Sequence, residues 1–189
     1  MKIITRYFLI STFIWVLLFS TRLIVAYRNH ELEKTPKTAT ITWAQLRSNN
    51  GGVNNKKGLN IVFAKILKNN VKVCLINIAG GSIFGVCTVV NLAANGYNLA
   101  DVVIYALKQG MSQSMIISLL APHSFELLGI WLTGAVGLIL AKYVIRYAFK
   151  SIIPSYFEFR TIIYSSLAGI AIIVLAAWIE VYVTFNRLL

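Results

Sequence analysis

Apolar residues in this chain arrive in long, mostly apolar runs of about twenty, and most of the charged residues are gathered between the runs. A helix of that length matches the hydrocarbon core of a bilayer. The pattern therefore confines the chain to an all-α, polytopic membrane architecture, in which every backbone polar group is satisfied within its own helix. Composition agrees: 58% of the 189 residues are hydrophobic, 13% are charged, and the mean hydropathy is +0.72. Eighteen Lys and Arg against six Asp and Glu give a formal charge of +12. Spread through a polar surface, that excess would point to nucleic acid. Here it flanks apolar runs, so the partner expected first is the lipid bilayer, with no nucleic acid. The same numbers exclude a disordered chain, a disulfide scaffold and a collagen-like fibre. The expected location is a cell membrane, crossed several times.

Four stretches are long enough to cross. Residues 7–27 form the first, with Arg22 near enough to its end to snorkel. Residues 73–94 form the second, with Asn77 as its main polar interruption. Residues 122–146 form the third, opening after Pro122, and residues 161–183 form the last, ending in the interface aromatics Trp178 and Tyr182. A further stretch, 99–121, carries Lys108, Gln109, Gly110, Ser112, Gln113 and Ser114 in its middle and either spans or turns back. The expectation is four to five transmembrane helices, with a re-entrant helical hairpin at 99–121 as the alternative to a fifth span.

The positive-inside bias weighs these alternatives. With 99–121 re-entrant and the N-terminus outside, segments 28–72 and 142–160 share the cytoplasmic side, placing 13 cations inside and three outside. Five full spans with a cytoplasmic N-terminus put nine cations outside instead. The count favours the re-entrant arrangement, whereas Lys2 and Arg6 before the first run argue for a cytoplasmic start, so orientation stays open. No A-x-A site follows the first run, which reads as a retained helix.

Residues 28–58 form a polar, basic loop with a Gly/Asn-rich centre. In 59–72, Leu59, Val62, Phe63 and Ile66 follow the i, i+3, i+4, i+7 spacing, and Lys65, Lys68 and Lys72 fall opposite. That pattern predicts an interfacial amphipathic helix, or else a docking face for an acidic partner. Residues 149–159, around Pro154, are expected to skim the interface. Asn95-Gly96-Tyr97 reads as a turn, with Asn98 and Asp101 capping the helix after it. Cys74 and Cys87, about 20 Å apart on one helix, cannot form a disulfide.

Small residues recur at helical spacing: Gly81 and Gly85 in the second span, and Gly129, Thr133, Gly137 and Ala141 in the third. Such stripes let helix backbones approach closely, within one chain or between the copies of a homodimer. The sharpest local signal is the run from Pro122 through His123 to Glu126. Proline suits the first turn of a helix, and His123 and Glu126 are then i, i+3 neighbours. The helix N-terminus would favour the carboxylate. An ionisable pair in a membrane segment marks a functional polar site, to which Lys108, Gln109 and Gln113 would add. It could relay a proton, touch a substrate or form half a catalytic pair; the structural alternative is that it locks the elbow. No Ser-His-Asp set, HExxH, Walker A or Rossmann fingerprint occurs, so no catalytic residue is assigned. A metal would need further ligands, and His30 lies in the polar loop with Glu31 and Glu33, so neither metal nor cofactor is expected. Glu180 is expected at the interface, beside Arg187 or water.

These features together resemble the stage II sporulation protein M family. The resemblance runs over about 59–147: Asn70 in the amphipathic lead-in, Gly80, Gly81 and Gly85 in the span, Asn95-Gly96, then Pro122, His123 and Glu126 with Gly129, Gly134 and Gly137. Members often read Pro-His-Gly followed by Glu; Ser124 stands here where Gly is usual. The resemblance implies a non-enzymatic membrane subunit working with other membrane proteins. One implied setting is an engulfment complex of spore formers. Another is the export, maturation or immunity of a bacteriocin-type peptide beside ABC-type transporter subunits. An intramembrane enzyme using His123 and Glu126 is the reading of a different class.

Overall fold

The computed structural model describes residues 2–29 and 56–185; most of the 28–58 loop, with His30, and also Arg187 lie outside the described residues. Among the described residues there is no strand. The helices are α1 (Lys2–Arg28), α2 (Lys56–Gly80), α3 (Val86–Lys108), α4 (Gln113–Lys150) and α5 (Tyr156–Ile179), and α5 runs on directly as a π-helix over Glu180–Phe185. Helix starts follow local chemistry. The Ser112 hydroxyl accepts from the Met115 amide to open α4, and Ser155 and Glu158 form a reciprocal capping box that opens α5. That box replaces the interface-skimming element expected at 149–159: α4 persists to Lys150, and α5 begins at Tyr156.

Helix α4 is the axis of the molecule. Its 38 residues extend about 57 Å, and α1, α2, α3 and α5 all pack on it. The apolar part of α4 is accordingly more than half buried, whereas α1 is mostly exposed. Three helical stretches, Ile3–Arg28, His123–Lys150 and Tyr156–Tyr182, are long and apolar enough to cross a membrane. Two clusters fill the interior, Cys74, Leu92, Ile130 and Ile173 in one, Val136, Ile139, Tyr143 and Ile162 in the other.

The expected span 73–94 does not form. The chain reverses at 81–85, with left-handed backbone at Phe84 (φ 51°) and Gly85 (φ 79°), so α2 and α3 make an antiparallel hairpin. Glycine makes the reversal cheap at Gly85 and, through Gly81, lets the tip touch the backbone of α4. A Cβ on Gly81 would overlap the Gly137 carbonyl oxygen, and one on Gly85 would lie 2.8 Å from the Ala141 Cβ. The tip thus rests near the middle of the α4 apolar stretch. Thr88 Oγ1 donates to the Asn77 carbonyl (2.7 Å), which the reversal frees, and Asn91 Nδ2 ties the two arms by donating to the Val73 carbonyl (3.0 Å) and to Asn77 Oδ1 (2.7 Å). Asn77 Nδ2 in turn donates to the Ile130 carbonyl of α4 at 3.1 Å. Asn77 is therefore the polar centre of a hairpin, where the sequence suggested an interruption in a span.

The stretch 99–121 is likewise not one element. It divides at 109–112, where Gly110 has φ 71°, and its halves are the end of α3 and the start of α4. The helical hairpin exists, but its tip is the Gly81–Gly85 reversal, because glycine-rich, Asn/Thr-supported backbone can turn inside a packed bundle. Residues 95–97, expected as a turn, lie within α3. Asn95 accepts from Trp15 Nε1 (3.0 Å), and Gly96 admits α1, since a Cβ there would lie 2.5 Å from the Trp15 carbonyl oxygen. Asp101 caps nothing; it pairs with Arg22 at 2.7 Å, and the guanidinium also covers the Tyr97 ring. Arg22 is thus held against α3 instead of snorkelling.

Residues 59–72 are helical as expected but continue straight into the rest of α2, with Lys65, Lys68 and Lys72 exposed. The two cysteines fall on different helices and are free. The C-terminal end of α1, the N-terminal end of α2 and the π-helix share one end of the bundle, where Tyr182 donates to Asn60 Oδ1 at 2.5 Å. At the other end, Ile3, Ile4 and Tyr7 pack with Tyr143 and Ile162. The described cations of 28–72 and those of 142–160 therefore lie at opposite ends, against the shared side that the charge count favoured.

Candidate functional site

Pro122 lies in the interior of α4, nine residues after Gln113, and not in a first turn. Its imide removes the usual donor to the Ser118 carbonyl. Glu126 is consequently far from the helix N-terminus, and the helix dipole does not stabilise it. Side chains do. His123 Nδ1 lies 3.0 Å from Glu126 Oε2, and Asn70 Nδ2 of α2 donates to Glu126 Oε1. Glu126 is 7% exposed, so these two contacts are what make a carboxylate tolerable there.

A third ionisable group completes the cluster. Glu180, the first residue of the π-helix, turns toward His123, with Oε1 3.8 Å from Nε2. One atom each from His123, Glu126 and Glu180 lie within 4.8 Å of one another. Glu180 is 8% exposed and its Oε2 has no hydrogen-bond partner. This is not the interface residue expected from sequence, and the Arg187 expected beside it lies outside the described residues. The His123 side chain is 34% exposed, so the cluster opens to the surface on one flank.

The other expected site residues fall elsewhere. Lys108 ends α3, Gln109 follows it as the C-cap, and Gln113 begins α4 about 15 Å along the axis from His123. They form the connection at the end of the bundle and do not join the cluster. The small residues face neighbouring helices of the same chain. Gly81 meets Gly137, and a Cβ on Gly129 would lie 2.9 Å from the Gly169 carbonyl oxygen of α5. Thr133 sits between, its hydroxyl bonded to the Gly129 carbonyl (2.9 Å) while a Cβ on Gly169 would lie 2.6 Å from its methyl. Sequence reasoning missed Glu180 as a site residue. The available signal was a carboxylate kept within an otherwise apolar last helix.

Three helices long and apolar enough to cross a membrane, in an all-helical bundle among the described residues, mark the class as helical membrane protein. The family model described as Stage II sporulation protein M matches residues 4–185, and the chain belongs to that family. The match takes in α1 and α5 as well as the region carrying the short motifs. The chain is also similar to an uncharacterized protein of Methanocaldococcus jannaschii, 31% identical over 125 residues that cover 65% of this chain and 70% of the relative. No solved structure matches.

Proposed function

We propose that this is a non-enzymatic, multi-pass subunit of a multi-protein complex in the cell membrane. Its α1, α4 and α5 cross the bilayer, and the α2–α3 hairpin dips in from one side and returns, in place of four or five full spans. The hairpin tip carries the reading. Ile83, Phe84 and Val86 are each more than half exposed at the level where α4 continues onward. Beyond them the hairpin supplies no helix, which leaves an apolar surface that a partner's transmembrane segment would cover in place of lipid. On α2, Leu75 and Ile76 are exposed as well, with Lys68 and Lys72 nearer the helix start.

The family resemblance supplies the finer role: handling of a bacteriocin-type peptide in export, maturation or immunity, beside ABC-type transporter subunits. Photo-crosslinking from a benzophenone side chain at Phe84 in native membranes should give a discrete adduct to such a subunit. Lipid adducts alone, with a lone 21.1 kDa monomer after gentle extraction, would remove the reading.

The orientation follows from where segment 28–72 attaches. It runs from the end of α1 into the first half of α2, toward the end that carries His123, and we take its nine cations as the mark of a cytoplasmic end. In a background with Cys74 and Cys87 replaced by Ala, Gly110→Cys should react with an impermeant maleimide only from the cytoplasmic face, and Ser151→Cys only from outside. Labelling of both from the same face contradicts three crossings.

A further inference from the structure

We propose that His123, Glu126 and Glu180 bind one divalent transition-metal ion of the zinc class, joining α4 to the π-helical end of α5. The inference is independent of the partner reading above. Imidazole and carboxylate are the donor set that Zn²⁺ takes, with bonds of about 2.0–2.2 Å, and donor atoms within 4.8 Å of one another reach a common ion after small side-chain rotations. The second observation is the Glu180 carboxylate itself. It is buried, one oxygen faces His123 Nε2, and the other has no hydrogen-bond partner, an arrangement that burial makes unfavourable unless a cation or a proton meets it.

Charge points the same way. Were both carboxylates ionised beside a neutral imidazole, two negative charges would share one spot, and a divalent ion would cancel them. The surroundings are built for ligation. Asn70 donates to Oε1 of Glu126, which leaves Oε2 facing the imidazole, and the ring presents Nε2 toward Glu180. The partly exposed edge of His123 leaves a path for entry and a position for water. A π-helical turn beginning at Glu180 is also the kind of local irregularity that proteins keep where it re-aims a functional side chain.

The test uses the full chain purified in mild detergent, stripped with chelator and titrated with Zn²⁺, with Co²⁺ as a spectroscopic probe. The expected result is one ion per chain, a visible Co²⁺ spectrum of low-coordinate type, and a higher melting temperature with metal. His123→Ala and the isosteric Glu180→Gln should each weaken binding at least tenfold, about the loss expected for a disturbed metal shell. Glu158→Gln, at the exposed capping box of α5, should bind like the wild type. The proposal is overturned if Glu180→Gln binds as the wild type does. It is equally overturned if the folded wild type binds no ion and its melting temperature ignores Zn²⁺, as it would were the two carboxylates neutralised by a shared proton.

Discussion

Gly137→Leu should cost about 3 kcal/mol or more and leave little monodisperse protein in detergent, because α4 and the hairpin meet there backbone to backbone. A Cβ on Gly137 would overlap the Asn77 carbonyl oxygen and the Thr88 hydroxyl. Overpacking ordinarily costs 1–3 kcal/mol, roughly, when side chains can move aside. Here the obstacle is main chain, and the same displacement breaks the Thr88 to Asn77 hydrogen bond that closes the reversal. Val90→Leu, on the exposed face of α3, should leave both melting and elution unchanged. A Gly137→Leu protein that melts with the wild type would show that the hairpin does not rest on α4.

Asn70 and Glu126 should behave as a strongly coupled pair. Asn70→Leu strands one oxygen of a buried carboxylate and is expected to destabilise the protein by about 3 kcal/mol. The double replacement Asn70→Leu, Glu126→Leu removes both partners and should regain most of that loss, since the one contact then lost belongs to His123, which is exposed enough to bond water instead. Thermal unfolding of the four proteins gives the coupling directly. Simple additivity of the two single losses, within about 0.5 kcal/mol, means that the α2 to α4 bond is absent.

How far the sequence reaches differs from element to element, for physical reasons. Helices α1 and α5 are legible to within a few residues because length and hydropathy alone decide them. The helical character of 59–72 is legible from the spacing of Leu59, Val62, Phe63 and Ile66 against its lysines. The hairpin is not, because Gly80, Gly81 and Gly85 read equally well as a packing stripe in a continuous helix. What decides is tertiary: the hydroxyl of Thr88 and the amide of Asn91 satisfying carbonyls of α2, and Gly137 leaving room for the tip. Likewise the turn chemistry of Asn95-Gly96 is overridden by α1, which uses Asn95 as an acceptor for Trp15 and Gly96 as a gap.

In the site, His123 and Glu126 are visible from their i, i+3 spacing alone. Glu180 is brought in from another helix, and Asn70, noted only through the family resemblance, comes from 56 residues away. A local motif cannot display such partners. The polar run from Lys108 to Ser114 owes its composition to joining two helices at an end of the bundle.

The hairpin also has a consequence for the order in which the molecule is made. Residues 73–94 leave the ribosome well before the surface that holds them, for Asn77 and its α4 partner Thr133 are 56 residues apart in sequence. During that interval the nascent segment has no Gly137 to rest on and no Ile130 carbonyl to receive the Asn77 amide. Twenty-two residues of such hydropathy present an insertion machine with a credible complete crossing. The reversal is thus held by contacts that exist only once α4 has been made, and an uninterrupted helix could not use them.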